Sequence, residues 1–328
     1  MSTKPRVFVT APVNQSVLDF LSARCEVQHY AKEGSMPSAE LIEICREREI
    51  EGLVLIGLRV TAELLDGAKK LRAIGLISVG YDNVDLAACT ARRIPVSNSR
   101  GALEETTADL AFSLILAVAR RAVEGDRFVR EGQWKLWRWN TLWGADVYEK
   151  TLGIIGLGHI GQAVAQRARG FSMRILYYDP RRVAESAERE LVAQFAAMET
   201  LLRESDFVSL HVPLTPQTEH MIAARELRLM KPSAFLINTA RGRVVNEEDL
   251  VHALQAGQLA GAGLDVFEHE PKPHPELIQM QNVVLLPHIG SATEECRTRM
   301  AMTAARNLLE ALEGRRPPNI LNPEVFEL

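Results

Sequence analysis

Three side chains with complementary acid–base character stand just after short apolar runs in the second half of the chain. They are Arg241 in INTARG, Glu270 in DVFEHEP and His288 in LLPHIGSAT. An arginine offers a planar fork of donors that suits a carboxylate and the carbonyl beside it. A histidine can give a proton to a carbonyl oxygen as it gains charge, and a carboxylate behind the ring orients it and stabilises its cation. Together they suit reduction of a 2-oxo acid. Singly, each has a plainer role: a histidine after a strand is usually structural, and Arg and Glu are usually solvated.

Such a reduction needs a cofactor, and GLGHIG fits G-x-G-x-x-G at Gly156, Gly158 and Gly161. The pattern is weak by itself. Here it follows an apolar run at residues 152–155 and opens a helical stretch at 162–169. Gly156 permits a tight turn, Gly158 lets the backbone approach a pyrophosphate, and Gly161 allows close helix–strand packing. The helix N-terminus adds free N–H groups and a positive dipole end. A second run ends at Asp179, about 20 residues on, where a carboxylate can accept both ribose hydroxyls and repel a 2′-phosphate. NAD is therefore expected over NADP, although Arg181 or Arg182 in the following PRR could reach a phosphate.

These groups need a frame. Short apolar runs (RVFVTAP, GLVLIG, LRAIGLIS, IPVSN) alternate with amphipathic stretches in the first third of the chain, which implies a parallel sheet with helices on both faces. The rhythm restarts at TLGIIG and continues through MRILYYD, DFVSLHVP, AFLINTA, GAGLDVF and VVLLPH. The expected fold is α/β with two doubly wound parallel-sheet domains. An Ala/Leu-rich helix at about 103–120 joins them, and the final helical pattern, ended by Gly314, packs back on the first. That makes the first domain discontinuous, 1–98 with 290–328, around a cofactor domain at 99–289.

A chain of 328 residues agrees with two domains. Its net charge of −4 lacks the basic excess that a nucleic-acid or anionic-membrane partner would want. The apolar run LAFSLILAVA is too short to span a bilayer, and MSTKPRVFVTAPV lacks a signal-peptide core. Cys25, Cys45, Cys89 and Cys296 are widely spaced and read as reduced thiols of a cytoplasmic protein. No His/Cys/Asp/Glu grouping has metal-ligand spacing, so no catalytic metal is expected. All four tryptophans, Trp134, Trp137, Trp139 and Trp143, fall in GQWKLWRWNTLW. A core would scatter them, whereas an interface or pocket wall could collect them.

Over essentially its full length the sequence resembles the D-isomer-specific 2-hydroxyacid dehydrogenases. The matching stretches, in order, are GIIGLGHIGQAVAQRA, SDFVSLHVPLTPQTEHMI, MKPSAFLINTARGRVVNEEDL, GAGLDVFEHEP and NVVLLPHIGSAT. Within that family SVGYDNVDL, GQWKLW, GFSMRILYY and LPHIGSAT resemble the glyoxylate/hydroxypyruvate reductases. The resemblance implies a Rossmann cofactor domain inserted in a flavodoxin-like substrate domain, with Arg241, Glu270 and His288 catalytic. It implies that the backbone N–H groups of Val79 and Gly80 hold the substrate carboxylate. It carries cofactor contacts to Thr107, His159, Ile160, Asp179, Pro213, Thr218, Thr239, Asp265 and Gly290, with Ala240, Arg241 and His288 beside them. It implies a homodimer held by an arm, on which Trp137 reaches the neighbour's substrate pocket.

The sequence departs from the family in places. SRGALEETTADL replaces the usual segment before the interdomain helix, and LIGLRV places Gly57 and Leu58 where many relatives are more polar, which would enlarge and dry that corner. Phosphite, formate, phosphoglycerate or another 2-oxo or 2-hydroxy acid could be served by the same site. An NAD-sensing binding protein of the transcriptional corepressor type would share the fold without turnover.

Overall fold

The apolar runs form parallel strands in two separate sheets, as seen in a computed structural model describing residues 4–32, 34 and 36–327. The first three residues of MSTKPRVFVTAPV lie outside the described residues. The chain divides into two units, Met1–Leu103 with Ser291–Leu328, and Glu104–Gly290.

In the first unit β1 (Arg6–Val9), β2 (Glu26–His29), β3 (Gly52–Leu55), β4 (Ala73–Leu76) and β5 (Val96–Ser97) pair in parallel in the order β2-β1-β3-β4-β5. That is the flavodoxin-like order. Both β3 and β4 are buried along their whole length, which explains why they read as continuous apolar runs rather than alternating ones. The helix Glu294–Leu312 packs on them. It starts at Thr293, whose hydroxyl accepts the Cys296 amide at 3.1 Å, and carries Glu294 and Glu295 in its first turn. It buries Met300, Ala304 and Leu308 at four-residue spacing and ends at Gly314, in the left-handed region. Leu58 is 7% exposed and belongs to this unit's core with Leu55, Val60 and Leu64. It fills the interior instead of drying an open corner.

In the second unit β6 (Thr151–Ile155), β7 (Arg174–Tyr178), β8 (Ala193–Phe195), β9 (Phe207–Leu210), β10 (Phe235–Asn238), β11 (Gly261–Leu264) and β12 (Val283–Leu285) are ordered β12-β11-β10-β9-β6-β7-β8. The chain starts mid-sheet, runs out to β8, returns to β9 and runs out the other way. This is the Rossmann winding, and its order reverses between β6 and β9. Alternate residues of β7 serve opposite faces: Ile175 and Tyr177 enter one apolar cluster and Leu176 the other. The helix Glu104–Ala119 lies on β10, β11 and β12 and on the helix His159–Arg169. Buried Ala111, Leu114, Ile115 and Val118 explain its apolar sequence.

The unit boundary falls after Leu103, beyond the expected break at residue 98. Side-chain bonds explain the shift. The Ser99 hydroxyl reaches Leu76 O at 2.6 Å and Met300 O at 3.0 Å, and Ala102 O accepts from Arg299 Nε at 3.3 Å. Residue 290 falls in the second unit rather than the first, since the Gly290 amide donates to Asp265 at 2.7 Å.

Candidate active site

All the parallel strands of the second unit deliver their carboxyl ends to one edge of the sheet, and the loops leaving that edge carry most of the residues singled out above. The first loop leaves β6. Gly156 sits at φ +93°, where a side chain would be strained, and a Cβ there would lie 2.7 Å from His211 O. A Cβ at Gly161 would meet Gly156 O at 2.2 Å, so the helix can approach the strand only as glycine. Gly158, by contrast, faces open space and directly precedes the helix His159–Arg169. The first-turn amides of that helix, at His159 and Ile160, have no carbonyl one turn back to serve.

Asp179 follows β7 and ties the loop to it. One oxygen accepts from Leu157 N and the other from Arg181 N, both at 3.1 Å. Of the two arginines beyond it, Arg182 forms a forked pair with Glu188, both bonds at 2.8 Å, and stands over the Phe195 ring. Arg182 is thus committed to a structural ion pair.

After β10 the chain runs through Thr239, Ala240 and Arg241. The Arg241 backbone is anchored by Asn238, whose Nδ2 donates to Arg241 O at 2.9 Å while its Oδ1 accepts from Ala240 N at 3.0 Å. The Arg241 side chain reaches back to Ala240 O at 2.8 Å. Gly242 makes the next contact: a Cβ on it would lie 1.8 Å from the carbonyl carbon of Phe267, so this loop packs directly on the one leaving β11.

That second loop holds Asp265 and Glu270. Asp265 is 1% exposed, and its carboxylate accepts from Ile289 N at 2.8 Å and Gly290 N at 2.7 Å, while its carbonyl accepts from His288 N at 2.9 Å. It therefore shapes the turn after β12, in which His288 takes φ +55°. Burial pushes the Asp265 carboxyl above the usual carboxylate range, against the pull of those amides and of His288. Glu270 behaves oppositely. Burial would raise it, but the hydrogen bond and charge of His288, the Phe267 amide and the charge of Arg241 outweigh that and hold it below its ordinary value. His288 Nδ1 meets Glu270 Oε2 at 2.8 Å. Both line a cavity of about 230 Å³ walled by Phe267, Pro271, Pro273, Leu285, Leu286 and Pro287.

The remaining sites fall around the same edge. A Cβ at Gly290 would lie 3.2 Å from Asp265 Oδ2 and 3.5 Å from Thr107 Cγ2, which puts these three together. Thr107 is buried in the first turns of Glu104–Ala119. The Thr218 hydroxyl donates to Pro213 O at 2.6 Å and accepts from Thr215 N at 2.8 Å, locking the loop after β9. The Thr239 hydroxyl oxygen is buried and unpartnered. An orphaned hydroxyl, an open Gly158 and a helix N-terminus at a strand-order reversal fit a dinucleotide. Sequence reading did not single out His211, which stands at that reversal with Nε2 2.8 Å from the Ser209 hydroxyl. Burial holds its imidazole down at about 4. SLHVP shows only a histidine after a strand, and nothing local signals its bond to Ser209.

In the first unit Val79 and Gly80 follow β4. Their carbonyls are engaged, by Asn98 Nδ2 at 2.8 Å and by the Ser78 hydroxyl at 2.8 Å. Among the described residues neither amide donates a hydrogen bond to the protein. The tryptophan stretch belongs to the second unit and follows the helix Ala122–Arg130, which buries none of its residues. Trp134, Trp137, Trp139 and Trp143 are 55%, 69%, 78% and 63% exposed, with Val129, Leu136 and Tyr148 exposed nearby. The Trp143 indole N–H donates to Trp139 O at 2.7 Å.

Comparison with known proteins shows the family. Residues 112–290 match the model of a family described as D-isomer specific 2-hydroxyacid dehydrogenase, NAD binding domain. A glyoxylate reductase of Thermococcus litoralis is 49% identical, with 98% of each chain covered. A crystal structure of a Thermus thermophilus protein is 45% identical with a TM-score of 0.88, covering 96% of this chain and 99% of that one. An NADPH-dependent glyoxylate/hydroxypyruvate reductase of Sinorhizobium meliloti, solved with NADP and malonate, is 30% identical with a TM-score of 0.86, covering 99% of this chain and 98% of that one.

Proposed function

Because the chain belongs to the D-isomer-specific 2-hydroxyacid dehydrogenase family, its chemistry is the nicotinamide-dependent reduction of a small 2-oxo acid, and we propose that it reduces glyoxylate or hydroxypyruvate, using NADH. The observation that carries the reading is the His288–Glu270 pair, set beside Arg241 at the same sheet edge as the glycine loop.

In this reading the second unit binds the cofactor through Gly156, Gly158, His159, Ile160, Gly161 and Asp179, with Thr107, Pro213, Thr218, Thr239, Ala240, Asp265 and Gly290 around it. The first unit serves the substrate, and the amides of Val79 and Gly80 suit a carboxylate. A nicotinamide held by these residues would supply the hydride for the carbonyl carbon. Arg241 holds the 2-oxo acid by a forked pair of hydrogen bonds and polarises its carbonyl. Glu270 occupies Nδ1 of His288, so Nε2 is the nitrogen that gives its proton to the carbonyl oxygen. The product is glycolate or the D-2-hydroxy acid.

NADH rather than NADPH is favoured by the Asp179 carboxylate, and by the engagement of Arg182 with Glu188, which removes one of the two cations that could meet a 2′-phosphate. We also propose a homodimer formed through residues 123–148, because so large an exposed apolar cluster is unusual on a monomer. Trp137 is the ring we assign to the neighbour's substrate pocket. Four buried, free cysteines accord with a cytoplasmic location.

Initial rates with NADH and NADPH against glyoxylate, hydroxypyruvate, pyruvate and phosphite test the proposal. Turnover of NADH with glyoxylate or hydroxypyruvate is expected. Tight NADH binding without turnover on the whole panel would replace it with an NAD-sensing role.

A further inference from the structure

The segment that carries Glu270 is fastened by a residue on another element. Glu247 is the first residue of the helix Glu247–Gln255 and is 5% exposed. Its Oε1 accepts from the Glu268 amide at 2.6 Å, and its Oε2 accepts from the His274 amide at 3.2 Å. In return its own amide donates to Glu268 Oε2 at 3.1 Å. The other oxygen of Glu268 is bound to His220 Nε2. One buried carboxylate therefore spans both ends of the stretch in which Glu270 lies. Gly242, packed on the Phe267 carbonyl, closes the remaining side.

A carboxylate is costly to bury. Burial pushes the Glu247 carboxyl above the usual range, and Glu268 adds to that, while the amides of Glu268 and His274 and the charge of His274 oppose it. An aliphatic residue would remove the cost but would leave two part-buried amides unserved. Glutamine would serve one amide and turn an NH2 toward the other. Only a carboxylate accepts from both.

We propose that Glu247 is a positioning residue for catalysis: by bridging the Glu268 and His274 amides it holds Glu270 where its Oε2 meets His288 Nδ1. This rests on the assignment of His288 and Glu270 as the acid–base pair. The outer partners of a working histidine matter because misplacing a catalytic group by about 1 Å can cost roughly a hundredfold in rate. The charged groups facing the pair are Arg241 on Glu270 and Asp265 on both.

The test is Glu247→Gln, read in two ways. Amide hydrogen exchange on the full-length protein is expected to quicken at Glu268 and His274, whether or not any 2-oxo acid is turned over. In steady-state assays with glyoxylate and NADH, kcat is expected to fall between about tenfold and a hundredfold with KM for NADH unchanged. The alkaline limb of kcat is expected to move, because Glu270 is no longer held against the ring. Leu254→Ala, a core truncation in the same helix, is the control for general loosening and is expected to lower Tm while leaving that limb in place. An unmoved limb in Glu247→Gln, or the same movement in Leu254→Ala, would overturn the proposal. Quickened exchange in a protein that reduces no 2-oxo acid would instead overturn the assigned function and leave the clamp standing.

Discussion

His288 Nδ1 lies 2.8 Å from Glu270 Oε2, across a gap of 18 residues in sequence. That bond commits Nδ1 of the imidazole, and the proposed reaction would draw its proton from Nε2. Replacing His288 by Ala removes the proton donor without touching the glycine loop. We expect kcat to fall by about 10²–10⁴-fold, with NADH affinity, followed by its fluorescence, preserved. A variant with undiminished turnover would reject the role.

Glu270 is held below its ordinary carboxyl value, so its interactions favour the ionised form in the folded state. At this group folded and unfolded chains then differ in proton uptake only at acid pH. The stabilisation is present in full above the unfolded value near 4.5 and is lost as pH falls through the lower folded value. Glu270→Gln lacks it throughout. The Tm difference between wild type and Glu270→Gln should therefore be largest near neutrality and shrink on acidification; a gap that widens toward acid contradicts the sign.

Asp179→Ala should lower the NADH to NADPH preference in kcat/KM by about tenfold, equivalent to ~1.4 kcal/mol. The change should stop short of a full reversal, since Arg182 stays paired with Glu188. A wild-type enzyme that already prefers NADPH would refute the ribose argument at the outset.

Gly242→Ala would place a Cβ 2.0 Å from Phe267 O, so backbone must move. Overpacking of this kind costs about 1–3 kcal/mol, and the rigid neighbour argues for the upper end, ~3 kcal/mol. Urea unfolding should show it as a lowered midpoint. Because Phe267 leads into Glu270, kcat should fall as well.

Trp137→Ala separates two roles for the tryptophans. If Trp137 reaches a neighbouring substrate pocket, the variant stays dimeric by light scattering while KM for glyoxylate rises several-fold. An unchanged KM in an intact dimer would leave Trp137 to packing alone.

Much of the fold was legible because parallel strands buried on both faces are continuous apolar runs. The strands that escaped reading are β2, EVQH, and β8, AQF. Each lies at the edge of its sheet and so carries little of the apolar signal. Similarly, IPVSN shrinks to a two-residue strand at the far edge, Val96–Ser97. In the site, the glycine loop and Asp179 were readable because their spacing is local. Glu247 was not. NEEDL announces a helix start, with Asn246 accepting the Asp249 amide at 3.0 Å, and acidic residues are ordinary in a first turn. Nothing local distinguishes the buried Glu247 from the exposed Glu248 beside it.

The amino-acid sequence by itself determined the two α/β units, the glycine loop and the choice of candidate side chains, because periodicity and short motifs are properties of neighbouring residues. Tertiary structure decided which of those side chains meet. Arg241, Asp265, Glu270 and His288 leave three different strands, and they gather because parallel strands deliver their loops to one edge. It also decided that Arg182 is spent on Glu188, that Leu58 is core, and that one carboxylate from a separate helix spans the Glu270 loop. Those outcomes depend on distances between residues far apart in the chain, which no local pattern records.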